Sequence, residues 1–251
     1  MVLFFADLHL GRTDPATERA VEQSLLACLT TLVDRTEHLI LVGDVFHHYI
    51  EYRHLVPRGF VRFQALLAHW SERGIPITYV VGNHDPWHQD YFEQELGVRV
   101  LHEPMIDTLL GRRVFLDHGD LAIASPLSRM LRRLLRHPIP VWLYRNLLPG
   151  DLGLALARRV TQWRPERLNP ITVERLRRYA RQVLQTNAAD VVVLGHSHQA
   201  ELHRWPEGLY LNPGCWYQEH TFGLMETDAL SLCRWTSDGP QTLIRYPLPE
   251  P

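Results

Sequence analysis

The sequence predicts an α/β fold with a second, more antiparallel sheet, and three observations predict it. Short apolar runs recur along the chain and stop at polar residues: "VLFFADLH", "HLILVGD", "ITYVVGNHD", "RRVFLDHGD" and "DVVVLGHSH". Each has the length and the β-branched or aromatic content of a strand buried on both faces. Amphipathic helical patterns lie between the first runs, the alternation expected of a parallel sheet. After residue 200 the runs "GLYLNPG", "TFGLMETD", "ALSLCRW" and "TLIRYPL" are short and separated by turn residues, as antiparallel strands are.

Taken in order, the first strand ends at Asp7 and His9. Asp14 and Pro15 then read as the N-cap and first residue of a helix over residues 15 to 35, with Leu25, Leu26, Leu29, Leu32 and Val33 on one face. The second strand ends at Gly43 and Asp44, and "RGFVRFQALLAHWSERG" follows as a helix closed by Gly74. The third strand ends at Asn83 and His84. Asp85 before Pro86 reads as the cap of a helix "PWHQDYFEQEL" that stops at Gly97. The fourth strand ends at His118 and Asp120, the fifth at His196 and His198. Ligands in open α/β sheets sit outside the carboxyl ends of strands, so five converging ends would build one site.

Composition narrows the class. A chain of 251 residues that is 45% hydrophobic can bury a large core, which fits one domain or one domain with an insertion. Cys28, Cys215 and Cys233 are too few and too scattered for a disulfide framework or a zinc knuckle, so a reducing compartment is expected. The start "MVLFFADLHL" has no basic n-region, and its apolar part is too short for a signal peptide. No apolar run is long enough for a spanning helix. All 26 basic residues are Arg, from which no function follows.

The polar ends supply ligand chemistry. Asp7, His9, Asp44, Asn83, His118, His196 and His198 offer seven oxygen or nitrogen donors, too many for one four-coordinate ion. They suit two ions that share a ligand, and Asp44 is the natural bridge because a carboxylate can divide its oxygens between cations. In an extended chain residues two apart point the same way, so Asp7 with His9, and His196 with His198, would face the ions together. Donors of this kind without sulfur suit Mn, Fe or Zn alike, and Mn is the first expectation. His47, His48, His54, His69 and His88 read as surface or helix-face residues.

The gaps between clusters locate an insertion. His9 to Asp44 is 35 residues, Asp44 to Asn83 is 39, Asn83 to His118 is 35, and His118 to His196 is 78. Residues 121 to 181 form the expected insert, leaving residues 1 to 120 and 182 to 251 as the core. Leu127, Met130, Leu131, Leu134 and Leu135 make a helical apolar stripe there. The insert holds 13 Arg against three acids, a net of +10, whereas the rest holds 13 Arg against 25 acids, a net of −12. A basic, apolar-faced insert suggests an anionic and partly greasy substrate, or an anionic membrane surface. The plainer alternative is a lid packed on its own core with a solvated Arg face. The basic residues accompany aliphatic stripes, not exposed aromatics, so nucleic acid is not expected.

The order D-x-H, G-D, G-N-H-D, H-G-D, G-H-x-H resembles the calcineurin-like metallophosphoesterase superfamily. The resemblance implies a two-sheet αββα sandwich with a dinuclear centre. Asp7, His9, Asp44 and His198 would hold the first ion, and Asp44, Asn83, His118 and His196 the second. His84 matches the family's non-ligand histidine, which contacts the substrate phosphate or leaving group, and Asp85 would orient it. A closer resemblance, over roughly residues 1 to 165, is to the UDP-2,3-diacylglucosamine pyrophosphatases of lipid A synthesis. It rests on "ADLHL", "GNHD", "DYFEQELGVRVLHEPMIDTLLGRRVFLDHGD", a helical insert after "HGD", and "GHSH". It implies cleavage of a lipid-linked nucleotide sugar to UMP and a lipid phosphate, under a helical cap that receives acyl chains. The enzyme would work in the cytoplasm, peripheral to the inner membrane, with Asn83, His84, Arg132, Arg133, Arg136, Arg158 and Arg159 binding substrate. Two features depart from that family. "LAIASPLSRMLRR" lacks the Asp and Tyr that usually follow "HGD", and "ARRVTQWRPER" replaces a Ser/Lys-rich stretch. The alternatives are a soluble phosphodiesterase or phosphatase with another substrate and, less favoured by the intact ligand set, a non-catalytic scaffold.

Overall fold

A computed structural model describes residues 1–161 and 169–248, without the side chains at 158, 160 and 161. Chain order runs β1 (Val2–Phe5), α1 (Pro15–Leu32), β2 (His38–Val42), α2 (Val61–Glu72), β3 (Ile77–Val80), α3 (Tyr91–Gln94), β4 (Arg99–Leu101), β5 (Met105–Leu109) and β6 (Arg112–Asp117). Helices α4 (Pro126–Arg136), α5 (Pro138–Leu147), α6 (Gly150–Thr161) and α7 (Pro170–Gln185) come next. The chain closes with β7 (Val191–Leu194), β8 (Glu201–Trp205), β9 (Gly208–Asn212), α8 (Trp216–Glu219), β10 (Thr221–Met225), β11 (Ala229–Thr236) and β12 (Gly239–Pro247).

Two sheets form, in the orders β12-β11-β10-β1-β2-β3-β4 and β5-β6-β7-β9-β8. Strands β1 to β4 run parallel, as do β6, β7 and β9, while β10 to β12, β5 and β8 add antiparallel edges. Period-two alternation separates the layers. In β1, Leu3 and Phe5 pack with Leu25 and Leu29 of α1 and with Phe63, Leu67 and Trp70 of α2. Val2 and Phe4 face the other sheet, against Val114, Leu116, Val191, Val193, Leu209 and Leu211. Outside that sheet, Leu176, Ala180 and Leu184 of α7 cover Val192, Leu194 and Tyr210. The result is the expected α/β, two-sheet αββα sandwich. Each fully buried Leu in it contributes roughly 1.5–3 kcal/mol through apolar burial.

Local sequence accounts for α1. The Asp14 carboxylate accepts the N–H of Ala16 and Thr17 at 2.9 and 3.2 Å, and Pro15 fills the first helical position, a cap worth about 1 kcal/mol. Three expectations need correction. The helix expected over residues 86 to 97 exists only as Tyr91–Gln94. Asp85 is not its cap; Glu51, from a distant loop, takes the N–H groups of Gln89, Asp90 and Tyr91, each at 2.9 Å. The runs after residue 200 do not make a sheet of their own: β9 inserts beside β7, while β10 to β12 extend the first sheet from β1. The expected end of the insert at residue 181 falls inside α7. Helix α7 lays Leu176, Ala180 and Leu184 on the second sheet.

Candidate metal centre

Strands β1, β2, β3, β6 and β7 bring their carboxyl ends to one edge of the sandwich, and the polar clusters gather there. The backbone at this edge is unusual. Asp7, His9, Asp44, His196 and His198 all have positive φ, between 46° and 69°. Non-glycine residues in this region cost roughly 1–2 kcal/mol each, and such strain collects at functional sites. It is sustained by cross-strand bonds: the N–H of Asp7 donates to the Gly43 carbonyl at 3.1 Å and that of His9 to the Asp44 carbonyl at 2.9 Å. The pairs Asp7/His9 and His196/His198 therefore do not converge because the chain is extended, as the sequence suggested. They converge because each is left-handed. Two glycines allow the crowding: a Cβ at Gly82 would meet the Asp44 carboxylate, and one at Gly195 would meet the Val42 carbonyl.

The donor atoms form two neighbouring groups, Asp7 with His9 and His198, and Asp44 with His118 and His196. In the first, His9 Nε2 lies 3.0 Å from His198 Nε2, and Asp7 Oδ1 lies 3.7 and 3.4 Å from these two atoms. In the second, His118 Nε2 lies 3.3 Å from Asp44 Oδ2. The other nitrogen of His118 sits 2.9 Å from the Val42 carbonyl, which turns Nε2 inward, as the outer partner of a ligating imidazole does. Asp7 Oδ1, Asn83 Oδ1 and His118 Nε2 are buried without a hydrogen-bond partner. An unmade bond at a buried polar atom costs about 1–3 kcal/mol. Divalent cations would satisfy all three atoms, so the donor set fits them.

Electrostatics agree with that fit. Burial alone would raise the carboxyl of Asp44, but the imidazoles of His118, His84 and His9 hold it well below its ordinary value. Burial and the nearby His118 bring His196 down to about 4, so its ring is neutral and can offer a lone pair. Burial opposes charge on His118, yet Asp44, Asp7 and Asp120 raise its pKa well above the usual value. The pocket thus has a potential that draws in positive charge.

His84 lies beside the first group. Its Nδ1 is 3.1 Å from the carbonyl of His47, and its ring stands 5.0 Å from that of His9. The Asp85 carboxylate accepts the N–H of Asp44, Val45, Phe46 and Gly82, at 2.7 to 3.3 Å, and the hydroxyl of Tyr79 at 2.5 Å. It fixes the turn that carries Asp44, and burial together with Asp44 brings its own pKa up to about 6. Two histidines expected at the surface lie elsewhere. His88 is buried, stacked on Tyr49. His47 stacks on His84 at 4.9 Å and groups with His9 and His84. The signal for His47 was its place three residues after Asp44.

The insert arginines divide. Arg132 and Arg136 pair with Asp120 at 2.8 and 3.1 Å. Arg133 lines a cavity of about 250 Å³ with Arg129, Arg136, His102, Asp117 and Tyr179. Arg159 is exposed on α6, and the Arg158 side chain lies outside the described residues. Leu127, Met130, Leu131, Leu134 and Leu135 stand 50% to 71% exposed on α4, and Ile139, Trp142 and Leu147 of α5 are similarly open. The stripe is not packed on a core of its own. Among the described residues no helix is long and apolar enough to cross a membrane.

Comparison with known proteins agrees with this geometry. The sequence pattern of the calcineurin-like phosphoesterases matches residues 1–200. The UDP-2,3-diacylglucosamine hydrolase of Porphyromonas gingivalis is 36% identical over 157 residues, which span 61% of this chain and 60% of that relative. The protein of the same name from Stutzerimonas stutzeri is 31% identical over 211 residues, 81% of this chain and 84% of the relative. Among solved structures, Yfce, a phosphoesterase from E. coli, superposes with a TM-score of 0.52 at 17% identity, covering 99% of both chains. Vacuolar protein sorting 29 from Cryptosporidium parvum gives 0.51 at 13% identity, covering 99% of this chain and 97% of that one. Those two share the fold. The chain belongs to the calcineurin-like phosphoesterase family and is a hydrolase.

Proposed function

We propose that this calcineurin-like phosphoesterase cleaves the pyrophosphate of UDP-2,3-diacylglucosamine, giving UMP and 2,3-diacylglucosamine 1-phosphate for lipid A synthesis. The observation that carries this reading is the open apolar face of α4 and α5, with α4 fastened by Arg132 and Arg136 and α5 by Arg145 to the loops beside the candidate metal centre. A small phosphodiester has no use for such a face, whereas acyl chains and a bilayer surface do. The names of the relatives support the same substrate. The enzyme would sit on the cytoplasmic face of the inner membrane, drawn there by its Arg-rich cap.

Asp7, His9, Asp44 and His198 would hold one ion and Asp44, Asn83, His118 and His196 the other, with Mn the first choice and Fe or Zn the alternatives. When bound, such a pair lowers the pKa of water and clamps phosphoryl oxygens. The rest is the work of the chain. Asp85 holds the turn at Asp44, Val45 and Phe46, and so sets where the Asp44 carboxylate stands. His84, fixed at Nδ1 by the His47 carbonyl, would donate a hydrogen bond to the phosphate and a proton toward the leaving group. Arg133 and Arg159 remain candidates for substrate contact.

A Mn-supplemented assay tests the reading by comparing UDP-2,3-diacylglucosamine with simple nucleotide and aryl phosphodiesters. Release of UMP with much the higher kcat/KM is expected. Turnover of the simple diesters alone would favour a soluble phosphodiesterase, the alternative suggested by the missing Asp and Tyr in "LAIASPLSRMLRR".

A further inference from the structure

Two cap arginines turn back onto the loops that carry candidate ligands. Arg132 Nη1 donates to the Asp120 carboxylate at 2.8 Å and to the Asp120 carbonyl at 3.0 Å. Arg136 Nη2 donates to the same carboxylate oxygen at 3.1 Å and to the Gly82 carbonyl at 2.9 Å. Asp120 stands two residues after His118, and Gly82 immediately precedes Asn83. The carboxylate of Asp120 is buried, and both guanidinium groups are largely shielded from water. A buried charge of this kind is costly unless paired in place.

The same loop is fastened a second time. Trp87 Nε1 donates to the Leu135 carbonyl at 3.0 Å, and Arg145 Nη2 donates to the Trp87 carbonyl at 2.8 Å. The Trp87 ring meets Tyr144 edge-on at 4.7 Å. Residues 82 to 87 are therefore tied to α4 and α5 at both ends, and Asn83 and His84 lie between the ties. The hydrogen bonds of Arg132 and Arg136 to Asp120 and Gly82 fall beside His118 and Asn83, the candidate ligands of one pocket.

We propose that Arg136, acting with Asp120, is a latch that couples the seating of the cap to one metal pocket, that of Asp44, Asn83, His118 and His196. The inference rests on the metal assignment above and is independent of the lipid substrate. Arg136 is a positioning residue: it holds the backbone next to Asn83 and the carboxylate next to His118. Outer partners of this kind typically govern about 10–100-fold in metal affinity or activity. Linkage is reciprocal, so an ion in this pocket must in turn hold α4 in place.

The test uses the full chain stripped with chelator. Mn²⁺ is titrated by calorimetry, and hydrogen exchange over residues 126 to 136 is followed with and without the ion. Wild type should show two binding events, and Mn²⁺ should slow exchange in α4. In Arg136→Met one event should weaken about 10–100-fold while the other persists, and Mn²⁺ should no longer slow exchange. The kcat for a small aryl phosphodiester should fall with KM little changed, and Arg136→Lys should restore part of it. Asp120→Asn, which keeps the side-chain shape, should reproduce the selective loss if Arg136→Met folds poorly. Two unaltered binding events and an unaltered kcat in either variant would overturn the latch. A wild-type chain with no Mn²⁺ event would instead overturn the metal assignment.

Discussion

Helices α4 and α7 stand at the two ends of the segment expected as the insert and look alike as sequences. A polar residue caps each, Ser125 and Asn169, and a proline opens each. Both carry an apolar stripe and several arginines. Their surroundings are opposite. Leu176, Ala180 and Leu184 of α7 are no more than 2% exposed, whereas the α4 leucines are at least half exposed. The arginines differ in the same sense: Arg177 and Arg181 of α7 pair with Glu201 and Glu207 of the second sheet's edge, while Arg132 and Arg136 of α4 reach the loops of the metal site. Periodicity states that a helix has two faces. It does not state what covers either one. A short turn leads from α7 into β7, so α7 packs back on the sheet it feeds. Helix α4 leaves the sandwich at its polar edge, where there is no sheet to cover its leucines.

On this contrast the sandwich carries the candidate metal ligands and the buried core, and the open apolar face of α4 offers a surface for substrate. The largest test is at the sandwich edge. Asp44→Ala should lose metal by elemental analysis and lose several kcal/mol of charge stabilisation, about 10³-fold or more in rate, toward every phosphodiester. A fully active variant would remove the shared carboxylate from the mechanism. His84→Ala should keep its metals while kcat falls by about 10²–10⁴-fold. Loss of metal in that variant would make His84 a ligand.

The helices themselves come next. Leu176→Ala should cost about 2–5 kcal/mol in denaturant unfolding, as buried leucines do. Leu131→Ala should change stability by no more than about 0.5 kcal/mol. Equal losses would show that something covers α4 as the sheet covers α7. The smallest expected effect is the most specific. Leu127→Ser combined with Leu131→Ser should weaken binding to anionic vesicles, and raise KM for the diacyl nucleotide sugar, by about tenfold, a change of about 1.4 kcal/mol. An aryl phosphodiester should be turned over as before. Unchanged vesicle binding would leave the open face without a role in the lipid reaction.

The sequence by itself determined the strand ends, the polar clusters that gather there and the broad chemistry. These are legible because each is local: a buried apolar run and its polar stop lie within about ten residues, and a donor's chemistry is that of its side chain. The doubled gap between His118 and His196 holds helices α4 to α7. Tertiary structure decided the rest. The left-handed backbone at Asp7 and His9 depends on the Gly43 and Asp44 carbonyls of the loop after β2. Asp85 serves the turn of Asp44 because five donors from three segments reach it before it can cap a helix. His47 joins the site because its loop folds over His9 and His84. The strands after residue 200 part company because β1 offers one open edge and β7 another. Which apolar stripe is buried, α4's or α7's, was likewise settled by the surface each helix meets. Partners distant in the chain are chosen by packing and by the need to pair buried polar groups, and neither is written in the spacing of residues along one segment.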